Sequence, residues 1–219
     1  MIGEFFIIKK RIEKHIKDIF TGSNDKVLDL GCGKYPYYHR FLKGKITCFD
    51  IEKSNKTHLV GNADADFLPF KRNSFDKVIA VNSLYYFRNP SKVAGHIAAI
   101  LKKNGKLAVI TPFFYPIHDA PADKYRFTEF GLKTLLEDHF KVEKICAIGG
   151  IFNLPAVILH SLIKGLPMIA TKPLKKLTKM LAYMIFYMPY ILAQLFSILD
   201  AFDKTGRFPT YYIAIATKK

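Results

Sequence analysis

Val27-Leu-Asp-Leu-Gly-Cys-Gly33 is an apolar run carrying one acid and closed by two glycines, and Cys48-Phe-Asp50-Ile-Glu52 follows it. The first stretch predicts a buried strand ending in a glycine-tight turn. The second predicts another strand ending in a carboxylate. A nucleoside cofactor needs that pairing. Backbone must approach it closely, which glycine permits without a side-chain clash, and an acid must accept both ribose hydroxyls. A G-x-G alone is a common turn; joined to an acid at the next strand end, it marks a nucleoside site. A dinucleotide fingerprint would place its third glycine where this chain has Pro36, in Gly31-Cys-Gly33-Lys-Tyr-Pro36. Pro36 and the bulky Tyr35 would obstruct a pyrophosphate seated on a helix N-terminus. A cofactor with an amino-acid tail in place of phosphates tolerates them.

Further segments follow in order. They are Gly61-Asn-Ala-Asp64-Ala65-Asp-Phe-Leu68-Pro69-Phe70, Ser74-Phe75-Asp76-Lys-Val78-Ile79, and Leu101-Lys-Lys-Asn-Gly105-Lys-Leu-Ala-Val-Ile-Thr-Pro112. Together with the first two they resemble the class I S-adenosylmethionine (SAM) dependent methyltransferases over about residues 25 to 150. The last three look like that family's adenine-contacting segment, its fourth strand, and its turn and fifth strand. Asn104-Gly105 replaces the usual glycine pair, a change a turn accepts. A narrower, methyltransferase type 11-like branch resembles this chain in Lys34-Tyr35-Pro36-Tyr37 and in His118-Asp-Ala-Pro121-Ala-Asp123-Lys-Tyr125-Arg126-Phe127-Thr128.

The resemblance implies roles, position by position. Asp29 would orient the amino-acid tail of SAM, with Gly31 and Gly33 letting backbone approach it. Asp50 would grip the ribose and Ile51 lie against the adenine face. Asp64 and the backbone of Ala65 would read the adenine edge. The product would be S-adenosyl-L-homocysteine. Acceptor-side candidates cluster after strands four and five: Asn82, which also borders the cofactor site, Tyr85, Tyr86, His118, Asp123, Tyr125 and Arg126. His118 is the best-placed general base, because an imidazole titrates near neutrality. Two readings stand for Asp123, Tyr125 and Arg126: catalytic groups, or an ion-paired network fixing a lid. Family analogy sets the branch among genes for surface polysaccharide and lipid-linked sugar metabolism.

Length and composition agree with one catalytic domain. A chain of 219 residues, half of them hydrophobic, buries a full core without disulfide or metal staples. The three cysteines, Cys32, Cys48 and Cys146, are far apart and form no C-x-x-C, which predicts small buried residues in a reducing cytosol and no metal site. Charges at Glu4, Lys9, Lys10 and Arg11 leave no uninterrupted apolar signal core.

Strand and helix patterns alternate. An amphipathic helix over 4–20 precedes strand 26–30, a helix near 36–43, strand 45–50, strand 76–81, helix 90–102, strand 106–111, helix 128–138, strand 141–148 and a last strand over 211–217. This predicts a Rossmann-like α/β fold: a doubly wound, mostly parallel seven-stranded sheet with an antiparallel last strand. The expected organisation is an N-terminal helix (1–24), a SAM-binding core (25–150), an apolar helical insertion (151–200) and the final strand (201–219).

The insertion is the departure from that pattern. Residues 149–163 and 180–199 carry no charge, and the second run reaches the length of a membrane span. A single crossing would leave the last strand on the wrong side of the bilayer, and Pro189 predicts a kink or break. Lys164, Lys172, Lys175, Lys176 and Lys179 lie between the runs without an acid. Apolar helices beside lysines suit the anionic inner face of a membrane; a lid or a homodimer face is the alternative.

The net charge of +16 favours an anionic partner. Nucleic acid is the competitor for it. Val81-Asn82-Ser83-Leu84-Tyr85 lacks the Asp/Asn-Pro-Pro-aromatic turn that marks exocyclic-amine methylation of bases, and the chain has no Pro-Cys pair for base-carbon methylation. The leading expectation is in-line methyl transfer to an oxygen of a small, saccharide or lipid-linked acceptor. An RNA methyltransferase and a SAM-binding protein without turnover are the alternatives.

Overall fold

The computed structural model of the protein describes residues 6–64, 67–117 and 119–219. Its strands are β1 (Lys26–Leu30), β2 (Lys45–Asp50), β3 (Leu59–Val60), β4 (Phe75–Val81), β5 (Leu101–Pro112), β6 (Phe140–Ile148) and β7 (Tyr211–Lys218). The helices are α1 (Phe6–Ile19), α2 (Pro90–Ile100), α3 (Glu129–Glu137), α4 (Leu154–Ile169) and α5 (Lys175–Phe196). All seven strands form one sheet in the order β3-β2-β1-β4-β5-β7-β6. Strands β1 to β5 pair in parallel, and β7 runs antiparallel to β5 from Lys106↔Thr217 to Pro112↔Tyr211. This is the expected Rossmann-like α/β sheet.

Burial on both faces explains the sequence pattern. Val27, Leu28, Leu30, Val78, Ile79, Ala80 and Leu107 to Ile110 are all fully buried. Central parallel strands therefore read as continuous apolar runs instead of alternating ones. Helix α2 starts where Asn89 accepts from the Lys92 N–H at 3.0 Å, with Pro90 in the first turn where no N–H is needed. Helix α3 starts where Thr128 accepts from the Gly131 N–H at 3.0 Å.

Three local expectations are corrected. The helix near 36–43 is a 3-10 turn over Tyr37–Phe41, bounded by Pro36 and then by Gly44 at φ 106°. A Cβ on Gly44 would stand 2.3 Å from the Asp25 carbonyl oxygen, so the chain turns sharply there. Strand β5 begins at Leu101, earlier than expected, because Phe75 pairs with Leu101 before the register shifts to Lys77↔Lys106. Asn104 at φ 61° supplies the bulge. Pro189 lies inside α5 and does not end it.

The chain divides into two compact units. One holds Ile12–Phe113, Ile117–Cys146 and Tyr211–Lys219; the other holds Ala147–Thr210, Phe114–Pro116 and the chain start through Arg11. The insertion thus extends beyond 151–200, and its hydrogen bonds show why. Asp200 accepts from the Phe152 N–H at 2.9 Å, Asp203 from the Ile151 N–H at 3.0 Å, and Thr210 from the Asn153 side chain at 2.6 Å. Arg11 donates to the Ser197 carbonyl at 2.9 Å and faces Asp200 at 3.5 Å. Within this unit α4 and α5 form a helical hairpin, with the His160 ring against Tyr190 at 5.8 Å.

Candidate functional site

The sheet order reverses direction between β1 and β4, which opens a crevice at the carboxyl ends of those strands. A cavity of about 960 Å³ lies there, lined by Leu30–Tyr38, Phe49–Glu52, Gly61–Asp64, Val81–Ser83, Tyr85–Arg88, Asp119, Ala122 and Lys124. Of the residues expected to hold a cofactor, Gly31, Gly33, Asp50, Ile51, Asp64 and Asn82 come together in its wall.

The two glycines do different work. Gly31, at φ 75°, packs where a Cβ would stand 2.3 Å from the Ser83 Cβ. Ser83 in turn donates to the Leu30 carbonyl at 2.7 Å, tying the β1 turn to the end of β4. Gly33, at φ 63°, has nothing within 4 Å of its Cβ position, so its backbone is open to a ligand. Its N–H donates to Asp50 Oδ2 at 2.8 Å, while the Glu52 N–H reaches Asp50 Oδ1 at 2.9 Å. Two backbone donors therefore fix the carboxylate in the cavity wall. The next side chain, Ile51, is 67% exposed, an apolar surface offered to a flat ring.

On the opposite wall, Asp64 accepts from the Arg88 N–H at 2.9 Å and the Asn89 N–H at 3.3 Å, bracing the start of α2. Asn82, at φ 52°, ends β4 with its side-chain carbonyl oxygen buried and unpartnered among the described residues. Buried acceptors are normally satisfied, so this one is available to a donor from a ligand.

Asp29 departs from expectation. It is fully buried and does not line the cavity. Tyr38 Oη donates to both of its oxygens at 3.0 and 2.9 Å, and His39 Nε2 lies 2.5 Å from Oδ2. Cys48, its register partner on β2, stands 3.9 Å from the same His39 nitrogen. These groups lie within hydrogen-bonding reach of one another. Burial opposes a charge on His39, but the hydrogen bonds and charges of Asp29 and Cys48 prevail and hold it at about 9. A hydrogen bond from Cys32, working against burial and helped by His39, draws the Cys48 thiol down to about 5. Burial raises Asp29 despite its donors. No feature of the sequence beyond the nearby Tyr38-His39 pair signalled this chain of groups, because strand register creates it.

The acceptor-side candidates separate. Tyr85 and Tyr86 line the cavity with ring centroids 4.3 Å apart, and burial raises both phenols. Tyr86 Oη donates to Asp119 at 2.7 Å. Asp123, Tyr125 and Arg126 are not among the lining residues. Arg126 makes a two-pronged ion pair to Asp123 at 2.5 and 2.6 Å and sits over the Tyr85 ring at 5.6 Å. Tyr125 Oη donates to the Arg88 carbonyl at 3.0 Å, and Lys124 to the Tyr86 carbonyl at 2.5 Å. These contacts match the second of the two readings of Asp123, Tyr125 and Arg126, a network that fastens the segment after β5 to the turn after β4. His118 and Ala65 lie outside the described residues. Sequence reasoning passed over Lys124, Asp119 and Asn62, loop residues with no motif of their own, although all three line the cavity.

Residues 28–109 match the sequence profile of the methyltransferase domain family. The core is a class I SAM-dependent methyltransferase domain. Two curated relatives cover parts of it. A human mitochondrial arginine-hydroxylase is 35% identical over 89 residues, 36% of this chain and 26% of its own. A ubiquinone/menaquinone biosynthesis C-methyltransferase of Haemophilus ducreyi is 29% identical over 126 residues, 49% of this chain and 48% of its own. The chain thus spans half or less of either relative. Among solved structures, the cyclase SpnF superposes with a TM-score of 0.59 at 17% identity, over 95% of this chain and 80% of that one. The geranyl diphosphate C-methyltransferase of Streptomyces coelicolor A3(2), solved with S-adenosyl-L-homocysteine, gives 0.56 at 13% identity, over 96% and 79%. Both share the methyltransferase fold.

Proposed function

We propose that the protein is a methyltransferase that moves the methyl group of SAM to an oxygen of a small, saccharide or lipid-linked acceptor. The observation that carries this reading is the Asp50 carboxylate, fixed by the Gly33 N–H inside an open cavity at the sheet's switch point. The residues fit the cofactor. Asp50 suits a ribose diol, Ile51 an adenine face, and the unpartnered Asn82 oxygen an ammonium group.

SAM supplies an electrophilic methyl group already activated on a sulfonium. The chain's task is then to hold the acceptor oxygen in line with that carbon at about 3 Å and to keep water away. With SAM bound, the new oxygen–carbon bond would replace the sulfur–carbon bond, and the cofactor would leave as a thioether. His118, next in sequence to the Asp119 that Tyr86 holds, takes the hydroxyl proton in this reading. The paired Asp123 and Arg126 support the wall around the acceptor.

Transfer to carbon is a second reading, favoured by the Haemophilus ducreyi relative, whose name records a C-methyltransferase. Incubation with methyl-labelled SAM and fractionated lipid, glycan and RNA extracts tests both. Label in a base-labile or glycan-bound methoxy group supports O-methylation, and label on carbon supports the second reading. Label confined to RNA, or no transfer despite SAM binding, overturns the proposal.

A further inference from the structure

Helix α5 is apolar on the side that faces solvent. Leu177, Leu181, Met184, Met188, Leu192 and Leu195 are exposed at helical spacing, Met184 at 71% and Met188 at 64%. Ala182, Tyr190, Ala193 and Gln194, on the opposite side, are buried. A helix of a water-soluble unit shows the reverse, with its outer face polar. On α4, Ile158, Met168 and Ile169 are also exposed. Continuous exposed apolar surface of this extent marks an interaction site.

Charge identifies the partner. Lys172, Lys175, Lys176 and Lys179 gather at the turn between the helices, and none has a salt-bridge partner among the described residues. From 149 to 199 the chain has no acid. A second copy would bring the same stripe and the same lysines, with no acid between 149 and 199 to meet them. An anionic bilayer supplies both the apolar phase and the counter-charge. Both helical stretches, Ile151–Ile169 and Lys172–Ala201, are long and apolar enough to cross a membrane. Crossing tip-first would drag the lysine-rich turn through hydrocarbon. Lying in the interface keeps the lysines at the headgroups. Because β6 and β7 belong to one sheet, the chain leaves and returns on one side.

We propose that the α4–α5 hairpin is a monotopic membrane anchor, with the α5 stripe immersed in one leaflet and the lysine cluster bound to anionic headgroups.

Flotation of the full chain tests it, with phosphatidylcholine vesicles and with vesicles containing phosphatidylserine. Binding should need the anionic lipid, fall with added salt, and drop on the order of 1,000-fold when Lys172, Lys175, Lys176 and Lys179 become Gln. The double substitution Met184→Asp and Met188→Asp changes only exposed positions and should abolish binding while circular dichroism stays unchanged. The chain has no Trp, so Met184→Trp gives a single reporter. Quenching by lipids labelled near the headgroup should exceed quenching by lipids labelled near the chain end. A protein that stays in solution with anionic vesicles at low salt overturns the proposal. So does a dimer that becomes monomeric in the Asp variant without ever binding vesicles, or a Trp buried at the bilayer centre. SAM titration in solution reports on the cofactor site separately.

Discussion

The backbone N–H of Gly33 donates to Asp50 Oδ2 at 2.8 Å, joining the turn after β1 to the end of β2. One bond links the two sequence features that define the cofactor site. It also holds the carboxylate in place before a ligand arrives, which lowers the ordering cost of binding.

In the proposed cofactor site Asp50 accepts both ribose hydroxyls, and Asp50→Ala removes that acceptor. Charge-assisted hydrogen bonds contribute about 1.5–3 kcal/mol each, so losing two should lower SAM affinity by at least on the order of 100-fold. Calorimetric titration with SAM and with S-adenosyl-L-homocysteine measures this. A wild-type protein that binds NAD tightly and neither of these ligands would sink the cofactor assignment.

The His39–Asp29 contact makes a prediction about pH. A histidine raised to about 9 when folded binds more protons than its unfolded counterpart, so its stabilisation is complete below the ordinary value of 6.5 and is lost as pH rises through about 9. The raised Asp29 acts with the same sign, whereas the lowered Cys48 thiol acts with the opposite one. Cys48→Ser removes the opposing contribution. In that background the thermal midpoint should decline between pH 6.5 and 9, and adding His39→Gln should flatten the decline. An unchanged slope would show that His39 and Asp29 do not share a proton.

The sheet was legible in the sequence because its central strands are buried on both faces. Val78 to Val81 and Leu107 to Ile110 therefore read as unbroken apolar runs, and Val27 to Leu30 is interrupted only by Asp29. Gly31, Gly33 and Asp50 were legible because backbone conformation and cofactor chemistry dictate those residue types. The Asp29–Tyr38–His39–Cys48 chain was not, since it depends on the β1–β2 register that sets Asp29 beside Cys48. The same limit applies to Asp123 and Arg126. Their i,i+3 spacing permits an ion pair, but the burial that makes it structural appears only in three dimensions. Tyr37–Phe41 reads as helix by composition, and the sharp turn at Gly44 restricts it to a 3-10 turn.

His118, which follows β5 in sequence, is the proposed general base. His118→Ala should lower kcat roughly 100-fold or more while SAM affinity stays near wild type, as expected of a general base. Single-turnover rates with an active acceptor fraction measure it. Activity near the wild-type level would move the base elsewhere or dispense with one.

Asp200 fixes the start of the insertion. Its side chain is 1% exposed, accepts from the Phe152 N–H and pairs with Arg11. Asp200→Ala leaves a helix-start donor unsatisfied and a cation without its partner, at about 2 kcal/mol. Chemical denaturation followed by far-UV circular dichroism should show that loss; an unchanged midpoint contradicts it.

The Asp123–Arg126 pair separates structural from catalytic roles. Asp123 has a side chain only 1% exposed, and Arg126 holds it with two bonds while lying over Tyr85. Asp123→Asn keeps the shape and removes the charge, so it should lower stability by ~2 kcal/mol, because the guanidinium loses the carboxylate that holds it with two bonds within a partly buried wall. Arg126→Lys should be intermediate, since an ammonium cannot make the planar two-pronged contact. Turnover in both variants should fall in parallel with the melting temperature and recover when measured well below it. A variant as stable as the parent but without activity would return Asp123 to the chemistry and contradict its role as a fastening.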